Sequence, residues 1–565
     1  MSATGWPGPI PRSRWWTLAM PIALLAVAAS FYGMRNGFTY DDVFIVLDNE
    51  IVHDLKRAWR FFLLPYWPIR LGGDGYRPLT LLGFAVQWAI APGSAMFFHA
   101  VSVALYVATS VAVFRLASLL LPIAFAWLTA ALFAVHPVHV EAVASVVGQA
   151  ELWAGLLLLS ATAFYIEWRR AGAFGTGRKA VIALLYFAAC LFKEHAIVLP
   201  LALLAAEWLV VGDPQPLGAR LRSLRPWFLC LVIVGSTYLL LRSLVIGKSL
   251  AGFAPFMPFI SLRVGHVDRV LTMLGVVPEW LRLLVWPAKL TSEYGPPANP
   301  IAQGFELWQL SGALLLFGVL GLGAALRKRF PVASFGIIWA ALMLLPSSNL
   351  LVASGVLLAE RTMFAGSLGA MLAVCAVLPL AVHQARAPLA RVLGMVAVGT
   401  VLILGVARSI VRSADWRTNG TLFTAAVKTE PMAYRAHYIL GAWLMGLNHK
   451  TAGEREYLIA MSLFPHDPAV AYNLAQEYFA AGLYEDAYRM FDRANQIIPA
   501  FEDVHARMAL TRAAQGQYPE ARALATLAVR DGVGDKEMLT AILAAEPVER
   551  LVVKLRASPV VSLVR

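Results

Sequence analysis

Long apolar runs separated by short polar stretches dominate the first 411 residues of the chain. Each run approaches or reaches the length that an α-helix needs to cross about 30 Å of hydrocarbon. The pattern predicts eleven membrane-crossing helices, at residues 15–33, 96–116, 122–135, 150–168, 180–192, 196–211, 226–246, 306–326, 332–346, 362–382 and 389–411. Two further apolar stretches, 78–91 and 268–287, are ambiguous by length and polarity.

Clusters of basic residues between the runs decide the orientation, because cytoplasmic loops carry an excess of Lys and Arg. If both ambiguous stretches lie at the outer interface or re-enter, eleven crossings place every cluster inside and the C-terminus outside. The clusters are Arg12 with Arg14, Arg169 with Arg170, Arg178 and Lys179, Arg220 with Arg222 and Arg225, Arg327 with Lys328 and Arg329, and Arg386 with Arg391. The first run resembles a signal peptide, and we interpret it as an uncleaved first span. The outer segments are then 34–95, 136–149, about 247–304 and 347–361.

A repeat with a period of 34 residues follows the last apolar run. Pro431, Pro465 and Pro499 mark the period, which is that of tetratricopeptide repeats. We predict repeats at 434–467, 468–501 and 502–535, with a half-repeat at Trp416–Val427 joining them to the last span. The expected fold class is therefore all-α. It comprises a polytopic helical membrane domain with juxtamembrane helices over 1–414 and a tetratricopeptide-repeat α-solenoid over 415–565.

Composition excludes an ordinary soluble protein of this length. Residues of the hydrophobic set make up 59% and charged residues 14% of the 565 positions, against about 25% charged in globular proteins. The net charge of +13 falls in the loop clusters, and no basic–aromatic surface suggests nucleic-acid binding. The three cysteines, Cys190, Cys230 and Cys375, lie inside apolar runs and form no disulfide framework or metal motif.

Two adjacent carboxylates, Asp41 and Asp42, follow the first span. Acids beside lipid are costly unless they pair with a cation or take part in chemistry. Such a residue could remove a proton from an acceptor hydroxyl, or help to hold a divalent metal near a phosphate. Solvated acids that cap a helix are the alternative interpretation.

A second polar cluster contains His136, His139 and Glu141 on the same outer face. The spacing is not the His-Glu-x-x-His zinc pattern. We favour contact with a sugar or phosphate over a metal site. If a metal is present, Asp42, His139 and Glu141 would hold it as Mg²⁺ or Mn²⁺; the sequence requires no cofactor.

Two cation–acid pairs, Lys193-Glu194 and Glu360-Arg361, stand at the outer ends of spans. A lysine in such a place commonly reaches to lipid headgroups, and an arginine commonly pairs internally. Either cation also suits a phosphate. Carboxylates and anion-binding cations on one outer face suit an enzyme that takes a sugar from a phosphate on a membrane lipid.

The motifs and their order resemble the transmembrane and tetratricopeptide-repeat O-mannosyltransferases, which are class C glycosyltransferases. The matching stretches are Tyr40-Asp41-Asp42 with Asp48-Asn49, Tyr76-Arg77-Pro78-Leu79-Thr80, Phe133-Ala-Val-His136-Pro-Val-His139-Val-Glu141, Phe192-Lys193-Glu194, Pro346-Ser-Ser-Asn349-Leu, Ala359-Glu360-Arg361 and Asp415-Trp416. The resemblance covers nearly the whole chain.

The resemblance implies an inverting transfer of a sugar, with mannose expected, from a polyprenyl-phosphate donor to a Ser or Thr hydroxyl of a polypeptide. Asp41 or Asp42 would be the catalytic carboxylate, and Lys193, Arg361 and Arg77 would face the donor phosphate. The sugar side would be formed by His136, His139, Glu141, Glu194 and Glu360. The Ala, Gly and Arg content suggests a bacterial inner-membrane protein with its site and repeats in the periplasm.

Two other functions stay open at this stage. One is a non-enzymatic scaffold in which a membrane anchor displays the repeats for envelope assembly. The other is a ligase that uses glycans linked to polyprenyl diphosphate. The repeats themselves would recruit the polypeptide acceptor or, alternatively, dimerise the protein.

Overall fold

The computed structural model describes residues 11–68, 73–247, 259, 264–354, 356–384, 388–532 and 534–544; most of these residues are helical, and no strand occurs among them. The chain divides into two compact units. The membrane unit comprises the described residues of Met1–Phe253, Val267–Ser292 and Ala302–Thr421. The repeat unit comprises those of Ala254–His266, Glu293–Ile301 and Leu422–Arg565. Of the predicted outer segment 247–304, residues 248–258 and 260–263 lie outside the described residues, as does Arg386 of the last basic cluster.

Helices of the membrane unit follow the apolar runs of the sequence. In chain order they are α1 (Arg12–Ser30), α2 (Pro78–Ile90), α3 (Ala95–Leu120), α4 (Ile123–Val135), α5 (Val140–Ala144), α6 (Gln149–Arg170), α7 (Thr176–Phe192), α8 (Leu199–Leu209), α9 (Leu217–Ile246), α10 (His266–Val285), α11 (Leu307–Leu326), α12 (Pro331–Leu344), α13 (Phe364–Gln384) and α14 (Pro388–Asp415). Short 3₁₀ turns connect several of them, including Glu194–Val198 and Glu360–Met363.

Seven helical segments in the described part of the chain are long and apolar enough to cross a membrane, and the bent pair α4–α5 would make an eighth. The seven are Arg14–Arg35, Ala95–Leu120, Val146–Arg170, Leu217–Ile246, Leu307–Leu326, Glu360–Leu380 and Pro388–Asp415. The protein is accordingly an integral membrane protein. The predicted count of eleven crossings stays a prediction, because α7, α8 and α12 are each shorter than 18 residues.

Both ambiguous stretches form helices. The first, α2, has 13 residues and at 1.5 Å per residue is about 20 Å long, too short for a perpendicular crossing. The second, α10, has 20 residues but includes Asp268, Arg269, Glu279 and Arg282. Neither is among the segments that meet the length and apolarity criteria for a span. Their interfacial or re-entrant placement stays a prediction.

A bend of 47° separates the two halves of the α4–α5 pair. The chain leaves α4 at His136, whose backbone is extended (φ −72°, ψ 120°), because it precedes Pro137. The short turn Pro137–His139 then leads into α5. The bend carries the His136–Glu141 motif away from the line of α4 and into a buried part of the unit.

Close helix packing in the membrane unit depends on glycine. A Cβ built on Gly336 of α12 would lie 2.4 Å from the carbonyl oxygen of Gly369 in α13, and one built on Gly369 would lie 2.2 Å from that of Gly336. The two backbones therefore meet at a distance that no side chain allows, as in other membrane helix pairs.

The repeat unit consists of paired helices. After α15 (Asn419–Thr429) come α16 (Tyr434–Gly446) with α17 (Lys450–Leu463), α18 (Pro468–Ala480) with α19 (Tyr484–Ile497), α20 (Val504–Ala514) with α21 (Tyr518–Asp531), and α22 (Lys536–Leu543). Within the middle repeat, Leu474, Ala475, Ala487, Phe491 and Ala494 are buried in the core of the repeat unit. The helical part of the fold prediction is confirmed. The division at residue 415 stays a prediction.

Candidate functional site

The loop that carries the two adjacent carboxylates is fastened by the chain that follows α14. The Gly37 N–H donates to the carbonyl oxygen of Arg417 (3.1 Å), and the Tyr40 N–H donates to Oδ1 of Asn419 (2.7 Å). Tyr40 has a left-handed backbone (φ 54°), which is uncommon for a bulky residue and turns the chain just before Asp41. The carboxylate loop therefore has a fixed conformation, although it lies outside the long helices.

Asp42 is completely buried and fully engaged in hydrogen bonds. Its Oδ1 accepts from the Ser145 hydroxyl (3.0 Å) and the Val147 N–H (2.8 Å). Its Oδ2 accepts from the N–H groups of Val146 (3.0 Å) and Thr39 (3.4 Å). Burial raises the pKa of Asp42 to about 7, and these four hydrogen bonds oppose that rise. Asp42 thus ties the loop to the turn between α5 and α6.

Asp41 lies in a different environment from its neighbour. Its Oδ2 is 3.4 Å from Nη2 of Arg361, and its side chain keeps 14% of its surface exposed. Arg361 in turn binds Glu141 twice, through Nη1 to Oε1 (2.7 Å) and through its backbone N–H to Oε2 (3.0 Å). The guanidinium is therefore oriented by Glu141 and still reaches the Asp41 carboxylate.

Arg77 and Glu194 form a bidentate ion pair. Nε of Arg77 donates to Oε2 (2.8 Å) and Nη2 donates to Oε1 (2.5 Å). Arg77 stands directly before α2 and Glu194 directly after Lys193, so the pair joins two outer segments that are far apart in sequence. A planar fork of this kind can exchange a carboxylate for a phosphate.

Lys193 pairs with Glu151 at the start of α6 (Nζ to Oε1, 3.1 Å). The pKa of Lys193 is lowered, first by burial and then by the positive charges of Arg77 and Arg361. The negative charges of Glu151 and Glu194 oppose this change. The three residues predicted to face a phosphate therefore lie close enough to act on one another electrostatically. Arg77 is bound to Glu194, the chain neighbour of Lys193, and Nη2 of Arg361 contacts Asp41.

The two histidines are held by protein atoms. The ring of His139 meets the Tyr106 hydroxyl at Nδ1 (3.0 Å) and the Ser367 hydroxyl at Nε2 (2.8 Å). Nε2 of His136 is 3.2 Å from the carbonyl oxygen of Leu284 in α10. Both rings help to fix the α4–α5 bend in this structure, and their predicted contact with a sugar stays a prediction.

Glu360 is fully buried beside Arg412 of α14, with Nη2 of the arginine 3.4 Å from Oε1. Arg412 also contacts Asp415 (3.2 Å). Glu360 thus anchors the turn that presents Arg361. In the described part of the chain, no group of three or more His, Cys, Asp and Glu side chains is arranged to hold a metal ion, so Asp42, His139 and Glu141 do not form such a group.

Three residues at the site were not predicted as site residues from the sequence: Glu151, Arg412 and Tyr66. Glu151 follows the His136–Glu141 motif by ten positions, and its charge at the start of an apolar run was a usable signal. Arg412 likewise extends an apolar run with a charge. Tyr66 lies in a loop with no pattern around it, and sequence reasoning had no means of selecting it.

Comparison with known proteins gives a consistent set of relatives. In an alignment 508 positions long, the chain is 25% identical to the mouse protein O-mannosyl-transferase TMTC3, and the alignment covers 84% of this chain and 54% of the mouse protein. In one of 450 positions it is 25% identical to the Caenorhabditis elegans protein O-mannosyl-transferase F38B6.6, with 76% of this chain and 60% of that protein covered. In one of 276 positions it is 33% identical to the Drosophila melanogaster protein O-mannosyl-transferase Tmtc2, with 47% of this chain and 29% of that protein covered.

The chain therefore spans little more than half the length of the first two of these relatives. No protein-family model and no solved structure matches it significantly. The predicted resemblance to the O-mannosyltransferases with transmembrane and tetratricopeptide-repeat regions is confirmed.

Proposed function

We propose that this protein is a membrane glycosyltransferase that moves a sugar, mannose by preference, from a polyprenyl-phosphate donor to a Ser or Thr hydroxyl of a polypeptide, with inversion. One observation carries the proposal: Arg77 is paired with Glu194, the chain neighbour of Lys193, and the charge of Arg361, which contacts the Asp41 carboxylate, also acts on Lys193. Cations of this kind bind a lipid-linked phosphate, and a carboxylate can activate an acceptor hydroxyl. The relatives are protein O-mannosyl-transferases, and their activity suggests the sugar and the protein acceptor.

Asp41 is our choice for the base. Burial raises the pKa of Asp42 to about 7, but its carboxylate is inaccessible and both oxygens already accept hydrogen bonds from the protein. Asp41 is partly exposed and meets Arg361 through Oδ2. Geometry decides before pKa in assigning a general base, because the base must reach the proton that it removes.

The reaction follows from these placements. Asp41 accepts the proton of the acceptor hydroxyl while the hydroxyl oxygen attacks the anomeric carbon. The bond from that carbon to the phosphate oxygen breaks, and its electron pair leaves with the polyprenyl phosphate. Arg77, Lys193 and Arg361 stabilise the charge that develops on the departing phosphate, so no acid is needed at the leaving group.

The repeats are proposed to recruit the polypeptide acceptor. Stacked helix pairs present extended surfaces that commonly bind peptides. Deleting residues 432–565 should abolish modification of the protein acceptor and leave binding of the lipid donor nearly intact. If the shortened protein still modifies its acceptor at the normal rate, the repeats serve another purpose, of which dimerisation is the first alternative.

The site and the repeats are proposed to lie on the outer face of the membrane, the periplasmic face if the chain is bacterial. A cysteine at the exposed position Ala480, in a Cys230→Ala background, should react with an impermeant thiol reagent added to cells with intact inner membranes. Reaction only after permeabilisation of the inner membrane would place the repeats inside.

The deciding experiment is a transfer assay with purified full-length protein in lipid nanodiscs. A panel of labelled polyprenyl-phosphate sugars and a polyprenyl-diphosphate glycan is offered with a Ser/Thr-rich polypeptide, with and without EDTA to test the need for Mg²⁺ or Mn²⁺. We expect transfer from the polyprenyl-phosphate mannose. Transfer from the diphosphate donor would make the protein a ligase, and no transfer from any donor would favour the scaffold function.

A further inference from the structure

The backbone at Tyr66 is fixed by pairing within the first outer segment. The Tyr66 N–H donates to the carbonyl oxygen of Gly75 (2.7 Å), and the Trp67 N–H donates to that of Asp74 (2.8 Å). Gly75 has a left-handed backbone (φ +74°), and a Cβ on it would lie 3.2 Å from Cβ of Tyr66. The side chain of Tyr66 therefore packs over Gly75, and the paired backbone fixes the direction in which its Cα–Cβ bond points.

The ring of Tyr66 is also held on its face. Cζ of Arg77 lies 4.6 Å from the ring centroid, which is a cation–π arrangement. The side chain is 2% exposed and packs with Val46 and Phe61 in a hydrophobic cluster of the first outer segment. The ring is thus part of the platform under the guanidinium that is proposed to bind the donor phosphate.

The hydroxyl of Tyr66 is buried and has no hydrogen-bond partner among the described residues. Buried hydroxyl groups in proteins nearly always have one, because removing a hydroxyl from water without compensation is unfavourable. The charges that act on this hydroxyl are those of Arg77, Asp41, Asp42 and Arg361. Burial raises its pKa, so it remains a protonated hydrogen-bond donor at neutral pH.

We propose that the Tyr66 hydroxyl donates a hydrogen bond to an oxygen of the donor's phosphate when the lipid-linked sugar is bound. The inference rests on the proposed function, and it adds a neutral donor to the cations of the site. The hydroxyl has no acceptor among the described residues of the free protein. A phosphate oxygen bound beside Arg77 and Arg361 would supply that acceptor. Hydrogen bonds to charged oxygens are the stronger kind.

The test is Tyr66→Phe in the full-length protein, because phenylalanine keeps the ring, its packing and the contact with Arg77. We expect the dissociation constant of labelled polyprenyl-phosphate mannose to rise by roughly 10- to 100-fold, the usual loss for a hydrogen bond to a charged group. Polyprenyl phosphate without a sugar should lose affinity by the same factor. The thermal unfolding midpoint should stay the same or rise, because a buried unpaired hydroxyl has been removed.

Tyr457→Phe is the matched control. Tyr457 lies in the core of the repeat unit, and its hydroxyl is also buried without a partner among the described residues. It should show the same small effect on unfolding and no change in donor affinity.

The outcomes separate the two proposals. Wild-type affinity in Tyr66→Phe, or a loss of turnover with donor affinity unchanged, would overturn this inference alone. Weakened binding of the sugar-bearing lipid with unchanged binding of polyprenyl phosphate would also overturn it, since the contact would then be to the sugar. A wild-type protein that binds neither lipid would overturn the proposed function and this inference with it.

Discussion

Two acid clusters in the membrane unit contain the same residue types and differ in how completely they are paired. At one, Glu207 of α8 is fully buried, and both of its oxygens are occupied. Oε2 accepts from the Tyr165 hydroxyl (2.6 Å) and Nε of Arg169 (3.2 Å), while Oε1 accepts from Nη2 of Arg169 (2.8 Å) and Nη1 of Arg220 (3.0 Å). At the other, Asp41 makes one ion pair among the described residues, 3.4 Å from Arg361, and it is partly exposed.

The difference separates a structural cluster from a reactive one. A buried carboxylate with every lone pair occupied can stabilise helix packing but has no capacity left for a substrate. A carboxylate with one long contact to an arginine retains that capacity, and the arginine retains some as well. Buried charge by itself therefore does not identify a site; incomplete pairing at a partly exposed position does.

Asp41→Asn should give the largest effect. Removing a true general base lowers the rate by about 10² to 10⁴. We expect a loss of transfer in this range. The unfolding midpoint should fall by less than for a fully buried pair, because the contact of Asp41 with Arg361 is long (3.4 Å) and Asp41 keeps 14% of its side chain exposed. Asp213→Asn is the matched control, since Asp213 also meets one arginine nitrogen (3.2 Å from Nη2 of Arg169) and is 22% exposed. Full transfer in Asp41→Asn would show that Asp41 is not the base and that incomplete pairing does not identify the reactive cluster.

Glu207→Gln should act on stability and not on donor binding. Removing one partner of a buried ion pair leaves the other charges uncompensated and costs about 3–5 kcal/mol. Thermal unfolding in detergent measures the loss. In the control Glu167→Gln, the pair with Arg115 is 2.7 Å long but about half exposed, so little should change. If Glu207→Gln unfolds like the wild type and loses donor affinity, the cluster is not merely structural.

Asp42→Asn tests whether Asp42 belongs with Glu207 or with Asp41. In the variant, an amide NH₂ group replaces one carboxylate oxygen and faces N–H or O–H groups that need an acceptor. This mismatch costs about 1–3 kcal/mol. The folded-state pKa is about 7 against 3.8 for the ordinary group, so between these values the folded protein holds a proton that the unfolded chain has released. Stability should therefore fall as pH rises through this window, and the variant should lack this dependence.

Unfolding midpoints of both proteins at about pH 5 and about pH 8 measure the difference. Transfer per folded molecule should be largely retained in Asp42→Asn. If Asp42→Asn is as stable as the wild type but inactive in transfer, Asp42 is the base and Asp41 has the supporting role.

Ser145→Ala should give the smallest effect. It removes one of the hydrogen bonds to Asp42, worth roughly 1 kcal/mol, and leaves the N–H donors in place. Because that hydrogen bond lowers the pKa of Asp42, its loss should raise the pKa further and widen the pH window over which stability falls. Unfolding midpoints across pH report this shift. Transfer below one tenth of the wild-type rate would contradict a purely supporting role.

Much of the fold could be predicted from the sequence because periodicity and apolar length are local properties. The repeat predicted at 468–501 contains α18 and α19, and α3 and α6 follow from long apolar runs. The bend after α4 was not predicted. Whether a run continues straight through Pro137 depends on the helices packed around it, which no local pattern records.

The site was predicted as a set of residues but not as a set of partners. Lys193-Glu194 and Glu360-Arg361 are neighbours in sequence, yet each acid pairs with a residue from elsewhere, Glu194 with Arg77 and Glu360 with Arg412. Pairing depends on tertiary distances. For the same reason the sequence could not separate Asp41 from Asp42, since the distinction rests on the N–H groups of the α5–α6 turn.

The hydrogen bond from the Tyr40 N–H to Asn419 has a consequence for recombination between relatives. In a chimera joined at residue 415, the stretch after α14 would come from the relative that supplies the repeats. That stretch includes Arg417 and Asn419, the residues that bind the backbone of Gly37 and Tyr40. A crossover after residue 421 would keep both contacts with their own loop. Exchange of repeat modules in evolution or in the laboratory should therefore preserve activity only when the crossover falls beyond α14 and past the start of α15.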